Sequence, residues 1–141
     1  VSANFCLEFC QPDYAFFTNS KRFEKLDLAA LPCPVVLTSN LRPLPQGALA
    51  VNYDRLAATD VQNASLGSNS VLMLLRLLRL CGAKAVLLAG ADGYKPGTPA
   101  YADSLLHAHT GRGAAFNTAM AGAIKACGLD VTFITPSEYA K

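Results

Sequence analysis

"RLCGAKAVLLAG", residues 79–90, is the stretch on which the fold class turns. An apolar helical pattern ends there, Gly82 offers the left-handed residue that closes a helix, and a short unbroken apolar run follows. The same order returns in "KACGLDVTFIT", residues 125–135, with Gly128 in the closing position. Helix, glycine and buried strand, met twice, is the pattern of βαβ units.

Working outward, β-branched or aromatic runs predict strands over residues 1–5, 14–18, 34–38, 48–52, 85–89 and 130–135. Helical spacing predicts helices over 20–27, 70–81 and 113–127. The unbroken apolar character of "VVL", "AVLLAG" and "VTFIT" predicts strands covered on both faces, as in parallel sheets. "LRPLPQG", residues 41–47, reads as a proline-punctuated loop, and residues 93–113 as an excursion with one short helix near 102–107. The expected architecture is α/β: one three-layer αβα domain over residues 1–141, with a mainly parallel sheet.

The totals narrow the function. Apolar residues make up 52% of the chain and charged residues 16%, a balance that predicts apolar surface covered by a partner, by a second copy or by further sequence. The net charge is +2, and Lys and Arg are scattered without a basic stripe, which argues against nucleic acid and anionic membranes as partners. The 5 cysteines, Cys6, Cys10, Cys33, Cys81 and Cys127, have irregular spacings that complete no zinc site. They are expected to be mostly buried free thiols in a reducing compartment. The start "VSANFCLEF" lacks a basic segment followed by an apolar one, and the apolar run 71–80 is too short to span a bilayer and is interrupted by Arg76 and Arg79. A cytoplasmic location is expected.

In an open parallel sheet, ligands bind outside the carboxyl ends of the strands. Those ends supply Asn4, Thr18 and Asn19, Ser39 and Asn40, and the loop 90–94 with Asp92 and Tyr94; Ser68, Asn69 and Ser70 open the long apolar helix. An amide both donates and accepts, which suits a base edge, a ribose or a sugar, and a helix N-terminus suits phosphate or carboxylate. Any one of these residues is better explained as a cap or a turn. The recurrence at successive strand ends is what points to a crevice.

Other candidates read more simply. His107 and His109, in "HAH", sit in a polar Ala-rich segment and are taken as surface residues, so no metal site is assigned. Asp92 either holds a metal or a ribose or anchors the turn that Gly93 permits. Arg76 and Arg79 are read as the wet stripe of an otherwise buried helix. "GRG", residues 111–113, is a weak anion signal. Spacing alone reveals no Ser/His/Asp arrangement, paired carboxylates or activated cysteine, and the catalytic residues stay unassigned.

With these residues in view, "FFTNSKRF", "VVLTSN", "SNSVLMLLRLLRLCGAKAVLLAGADGY" and "NTAMAGAIKACGLDVTFITPSEY" resemble a Rossmann-like domain at the C-terminus of certain aldolase-like proteins. Those proteins carry an N-terminal TIM barrel of the 4-hydroxy-2-oxovalerate aldolase and HMG-CoA lyase type. The block from Ser68 to Tyr94 is similar, too, to bacterial lipooligosaccharide sialyltransferases and to the hydroxymethylpterin diphosphokinase-like family. The sialyltransferase resemblance implies that Asn4, Asn19, Ser68, Asn69 and Ser70 contact a nucleotide, with Asp92 and Tyr94 nearby. The aldolase resemblance implies an N-terminal aldolase TIM barrel as partner, and a nucleotide with a divalent metal is the ligand to be tested, the cofactor itself staying unassigned.

Two departures shape what is expected. The glycine-rich opening turn of those families is absent, which places the phosphate-contacting element outside this chain. The family's catalytic histidine precedes an Asn-Thr matching Asn117 and Thr118, whereas "GRGAAFNT" here has none and His109 is out of register. A ligand-binding accessory domain is therefore expected. The alternatives are a nucleotide-dependent transferase, with His107 or His109 as its base, and an oligomerisation domain. The chain also lacks the barrel's metal-binding His-x-His and is not expected to perform aldol cleavage by itself.

Overall fold

A computed structural model describes residues 1–3, 11–24, 27, 30–57, 64–95 and 113–141. The chain divides into two compact units, Val1–Leu77 and Leu78–Lys141. Every strand pairing among the described residues is parallel, and helices alternate with strands, so the α/β class is as expected.

The first unit holds a four-stranded sheet in sequential order: β1 (Ser2–Ala3), β2 (Ala15–Phe17), β3 (Val35–Thr38) and β4 (Leu49–Val51). Register places Ala15 beside Val35 and Phe17 beside Leu37, so their side chains share one face. That face packs with Phe23 and Leu41 into a cluster, with Leu31, Cys33 and Ala48 against its margin. Phe16 and Val36 take the other face and are also buried, so the interior strands are covered on both sides as their unbroken apolar runs require. Ser2 is buried on β1, and its hydroxyl has no hydrogen-bond partner among the described residues.

Short helices follow the strands: α1 (Ser20–Phe23) after β2, α2 (Tyr53–Leu56) after β4, and then α3 (Ala64–Gly67). Helix α1 is shorter than expected, because Glu24 already closes it. Helices α2 and α3 have no counterpart in the sequence reading, since one turn is too brief to establish a 3.6-residue period. The segment 41–47 contains no regular element, in accord with its prolines, and Leu41 anchors it in the core. The short helix expected near 102–107 lies outside the described residues.

Helix α4 (Ser70–Leu80) begins in the first unit and ends in the second. Gly82 follows it at φ +92°, and the bond from Ala83 N–H to Leu78 O closes the left-handed end. The second unit then runs β5 (Ala85–Leu88), α5 (Ala114–Ala126), β6 (Asp130–Phe133) and a 3₁₀ turn (Glu138–Ala140). Strands β5 and β6 form a separate two-stranded sheet.

One expectation fails here. Strands β5 and β6 are not covered on both faces: their burial alternates, with Leu87 71% and Ile134 60% exposed. Among the described residues each has one strand neighbour, and the residues paired with Leu87 and Ala85 across the register, Thr132 and Asp130, are exposed with them.

Among the described cysteines, all free, only Cys127 is buried, Cys33 is half-buried and Cys81 is exposed, against the expectation of buried thiols. No described helix is long and apolar enough to cross a membrane.

Candidate functional site

The carboxyl ends of β2 and β3 and the start of α4 are tied together by side chains. Thr18, buried just after β2, has its hydroxyl 2.9 Å from that of Ser70, the first residue of α4. Asn40, in the turn after β3, donates from Nδ2 to Thr18 O at 3.1 Å. Ser39 Oγ accepts from the Tyr53 N–H at 3.0 Å, which ties that turn to the first residue of α2. A polar rim thus edges the first unit's sheet at the end where parallel sheets carry their ligands.

The amides of this rim are first of all helix caps. Asn19 Oδ1 accepts from the Arg22 N–H at 3.3 Å and opens α1. Asn52 Oδ1 accepts from the Arg55 N–H at 3.1 Å and opens α2. Asn69 Oδ1 accepts from Val71 N–H at 2.9 Å and from Leu72 N–H at 3.4 Å, at the head of α4. Each satisfies a backbone donor that has no partner within its own helix.

Capping does not exhaust an amide. In Asn19, Asn52 and Asn69 the oxygen is committed, while the NH₂ has no partner among the described residues. Asn40 is the reverse case, with its nitrogen engaged and its oxygen left to accept. Asn19, Asn40 and Asn52 are exposed, Asn69 and Ser70 half-buried, and Ser68 exposed in the turn before them. The outward groups are therefore mainly donors, a balance that favours an acceptor-rich ligand such as a phosphate or a base carbonyl.

The remaining candidates belong to the second unit or lie outside the described residues. Asp92 and Tyr94 belong to the second unit, in the loop after β5. There the buried Asn117 of α5 accepts from the Tyr94 N–H at 3.0 Å and donates to Tyr94 O at 2.8 Å, while Phe116 meets the Tyr94 ring edge-on at 5.4 Å. Asp92 is exposed and Tyr94 half-buried. Asn4, His107, His109 and Arg112 lie outside the described residues.

Arg76 and Arg79 are not a merely wet stripe, which corrects the sequence expectation. Arg76 Nη1 donates to Leu56 O at 2.7 Å and to Gly67 O at 3.1 Å, the last residues of α2 and α3. Arg79 Nη1 donates to Cys127 O at 2.8 Å, at the end of α5. Guanidinium groups at helix C-termini satisfy stranded carbonyls and complement the negative end of the dipole. The sequence clue was their i, i+3 spacing, which reads equally well as solvation.

Two shallow grooves lie in the second unit. One, of about 400 Å³, is bordered by Asn117, Thr118, Lys125 and Glu138. The other, of about 340 Å³, is bordered by Ile124, Leu129, Phe133 and Tyr139. Neither is lined by a rim residue. Lys141 donates to Glu138 at 2.6 Å and holds that carboxyl below its usual range, against a smaller opposing effect of burial, with the charges of Lys141 and Lys95 helping. No group of three or more His, Cys, Asp or Glu residues suited to a metal occurs among the described residues.

Asn52, Asn117 and Ser137 were not picked out as site-forming from the sequence, whereas Thr18 was named there as a strand-end residue. Asn117 did leave a signal: it falls on the buried stripe of α5 with Phe116, Met120, Ala121 and Ile124, where an amide needs a partner. In comparisons with known protein families, curated proteins and solved structures, nothing matches this chain.

Proposed function

We propose that this chain is a nucleotide- or sugar-nucleotide-binding accessory domain of Rossmann-like type, forming the C-terminal part of an aldolase-like protein and not catalysing aldol cleavage by itself. The observation that supports the reading is the joined rim: Thr18 meets Ser70, Asn40 meets Thr18, and capped amides present NH₂ donors beside them. Phosphate and base carbonyls are the acceptors such a rim would hold, with the positive dipole end of α4 at Ser70 favouring a phosphate even though its Val71 and Leu72 N–H groups are taken by the Asn69 cap. The aldolase barrel as partner rests on the sequence resemblance alone.

The test separates the cap from the contact. Asn69→Asp keeps the Oδ1 cap, and aspartate caps as well as asparagine, so the fold should hold. It replaces the NH₂ donor with a charged oxygen that repels phosphate. Thermal melts with cytidine nucleotides, adenosine nucleotides and a sugar nucleotide, with and without magnesium, should show a concentration-dependent rise for the unmodified chain, reaching about 2.7 kcal/mol at a hundredfold excess over Kd. Asn69→Asp should melt as before without ligand and lose at least about tenfold in affinity, the loss expected of one charge-assisted contact. No rise with any nucleotide, or an undiminished rise in Asn69→Asp, would overturn the reading.

A further inference from the structure

The loop after β5 is held more firmly than an exposed turn requires. Asn117, 6% exposed, spends both ends of its amide on the backbone of one residue, Tyr94, as a neighbouring strand would. The C-terminal turn holds the other end of the loop. Ser137 Oγ donates to Ala91 O at 2.5 Å and accepts from the Tyr139 N–H at 3.1 Å, while the Glu138 N–H donates to Asp92 O at 2.8 Å. Between the two grips sits Gly93 at φ +83°, where a Cβ would stand 2.7 Å from Glu138 Cβ and 3.3 Å from Asn117 Oδ1. Loop, helix and turn touch at one residue that has no side chain. Tyr139 is buried and anchors the turn.

We propose that the C-terminal turn is a latch for the Asp92–Tyr94 loop, so that the two open and close as one unit and the turn sets how Asp92 is presented. The physical reason is shared geometry. Releasing Ser137 frees Ala91 O and moves Glu138, whose Cβ and backbone N–H bear on Gly93 and Asp92. Releasing Asn117 removes its two bonds to the Tyr94 backbone and the other wall of the same contact. Coupling of this kind is reciprocal: whatever loosens the turn loosens the loop, and the reverse. A ligand or partner chain that grips residues 137–141 would then bias the loop without touching Asp92. Any consequence for ligand binding rests on the sequence resemblance, which sets Asp92 and Tyr94 near a nucleotide.

Amide hydrogen exchange on the full chain without ligand tests the latch independently of that reading. In the unmodified chain the Tyr94 and Glu138 amides should both be protected. Ser137→Ala should speed both by roughly tenfold, as expected for loss of one net hydrogen bond, and leave the β5 and β6 amides unchanged. Asn117→Ala should speed both by up to roughly a hundredfold, because the buried amide contributes two bonds. If Asn117→Ala does not fold, Ser137→Ala decides alone, since Ser137 is only half-buried. Acceleration confined to Glu138, an unprotected Tyr94 amide, or equal acceleration through β5 and β6 would overturn the latch. A protected, coupled latch in a chain that binds no nucleotide would sink the binding proposal and leave this one standing.

Discussion

Strand β3, "VVLT", and strand β5, "AVLL", look interchangeable as sequences, yet the first is buried at all four positions and the second alternates between exposed and half-buried. The difference is position in the sheet. β3 lies between β2 and β4, whereas among the described residues β5 has β6 alone beside it. An unbroken apolar run reports that a strand tolerates burial on both faces. How much it is covered depends on neighbours that the run itself does not encode.

The largest test of this contrast is a matched pair of leucines. Leu37, at the centre of the first unit's cluster, has no exposed surface, so Leu37→Ala removes contacts on every side and leaves a cavity. It should cost about 2–5 kcal/mol in chemical denaturation, with a lowered midpoint at unchanged slope. A cost below about 1 kcal/mol would mean that the cluster is not the packed core its burial describes.

A second pair sharpens the lesson at helix ends. Gly82 and Gly128 carry the same sequence signal and both adopt positive φ, +92° and +74°. Their surroundings differ. A Cβ at Gly82 meets nothing within 4 Å, whereas at Gly128 it would stand 2.6 Å from Arg79 Nη1, the group bonded to Cys127 O. Gly82→Ala should therefore cost only the left-handed strain, about 1–2 kcal/mol. Gly128→Ala should cost about 1 kcal/mol more, because Arg79 must give up its bond or shift. In an Arg79→Ala background that excess should vanish, and its persistence in double-mutant denaturation curves would show that Arg79 is not the cause.

These pairs also mark what the sequence could disclose. Each predicted strand and each of the three longer helical segments is present, since period and closing glycines are local properties. The caps were legible as residue types, with Asn19 and Asn69 at helix starts, and the cap reading of each amide is borne out by its bond to the backbone. Long-range pairings were not. Nothing adjacent in sequence announces that Thr18 meets Ser70, or that Arg76 reaches Leu56 O, because those contacts are made by the fold and not by the run they sit in. Asn117 lies between the two cases: its place on an apolar stripe signals a buried bond, but its partner, Tyr94, lies 23 residues away.

The smallest effect is the most informative one. Leu87 is 71% exposed on β5, so Leu87→Ala removes little that is packed and should change stability by no more than about 0.5–1 kcal/mol, mostly strand preference. The same chemical change should thus differ several-fold from its cost at Leu37. Parallel strands are seldom left open to water on one face, which gives the measurement its force. Leu87→Ala costing as much as Leu37→Ala would mean that the outward face of β5 is covered in solution. If that cost rose with protein concentration, the cover would be a second copy of the chain, since only association makes stability depend on concentration in this way. A small, concentration-independent cost would establish that β3 and β5, so alike as sequences, are held by different surroundings.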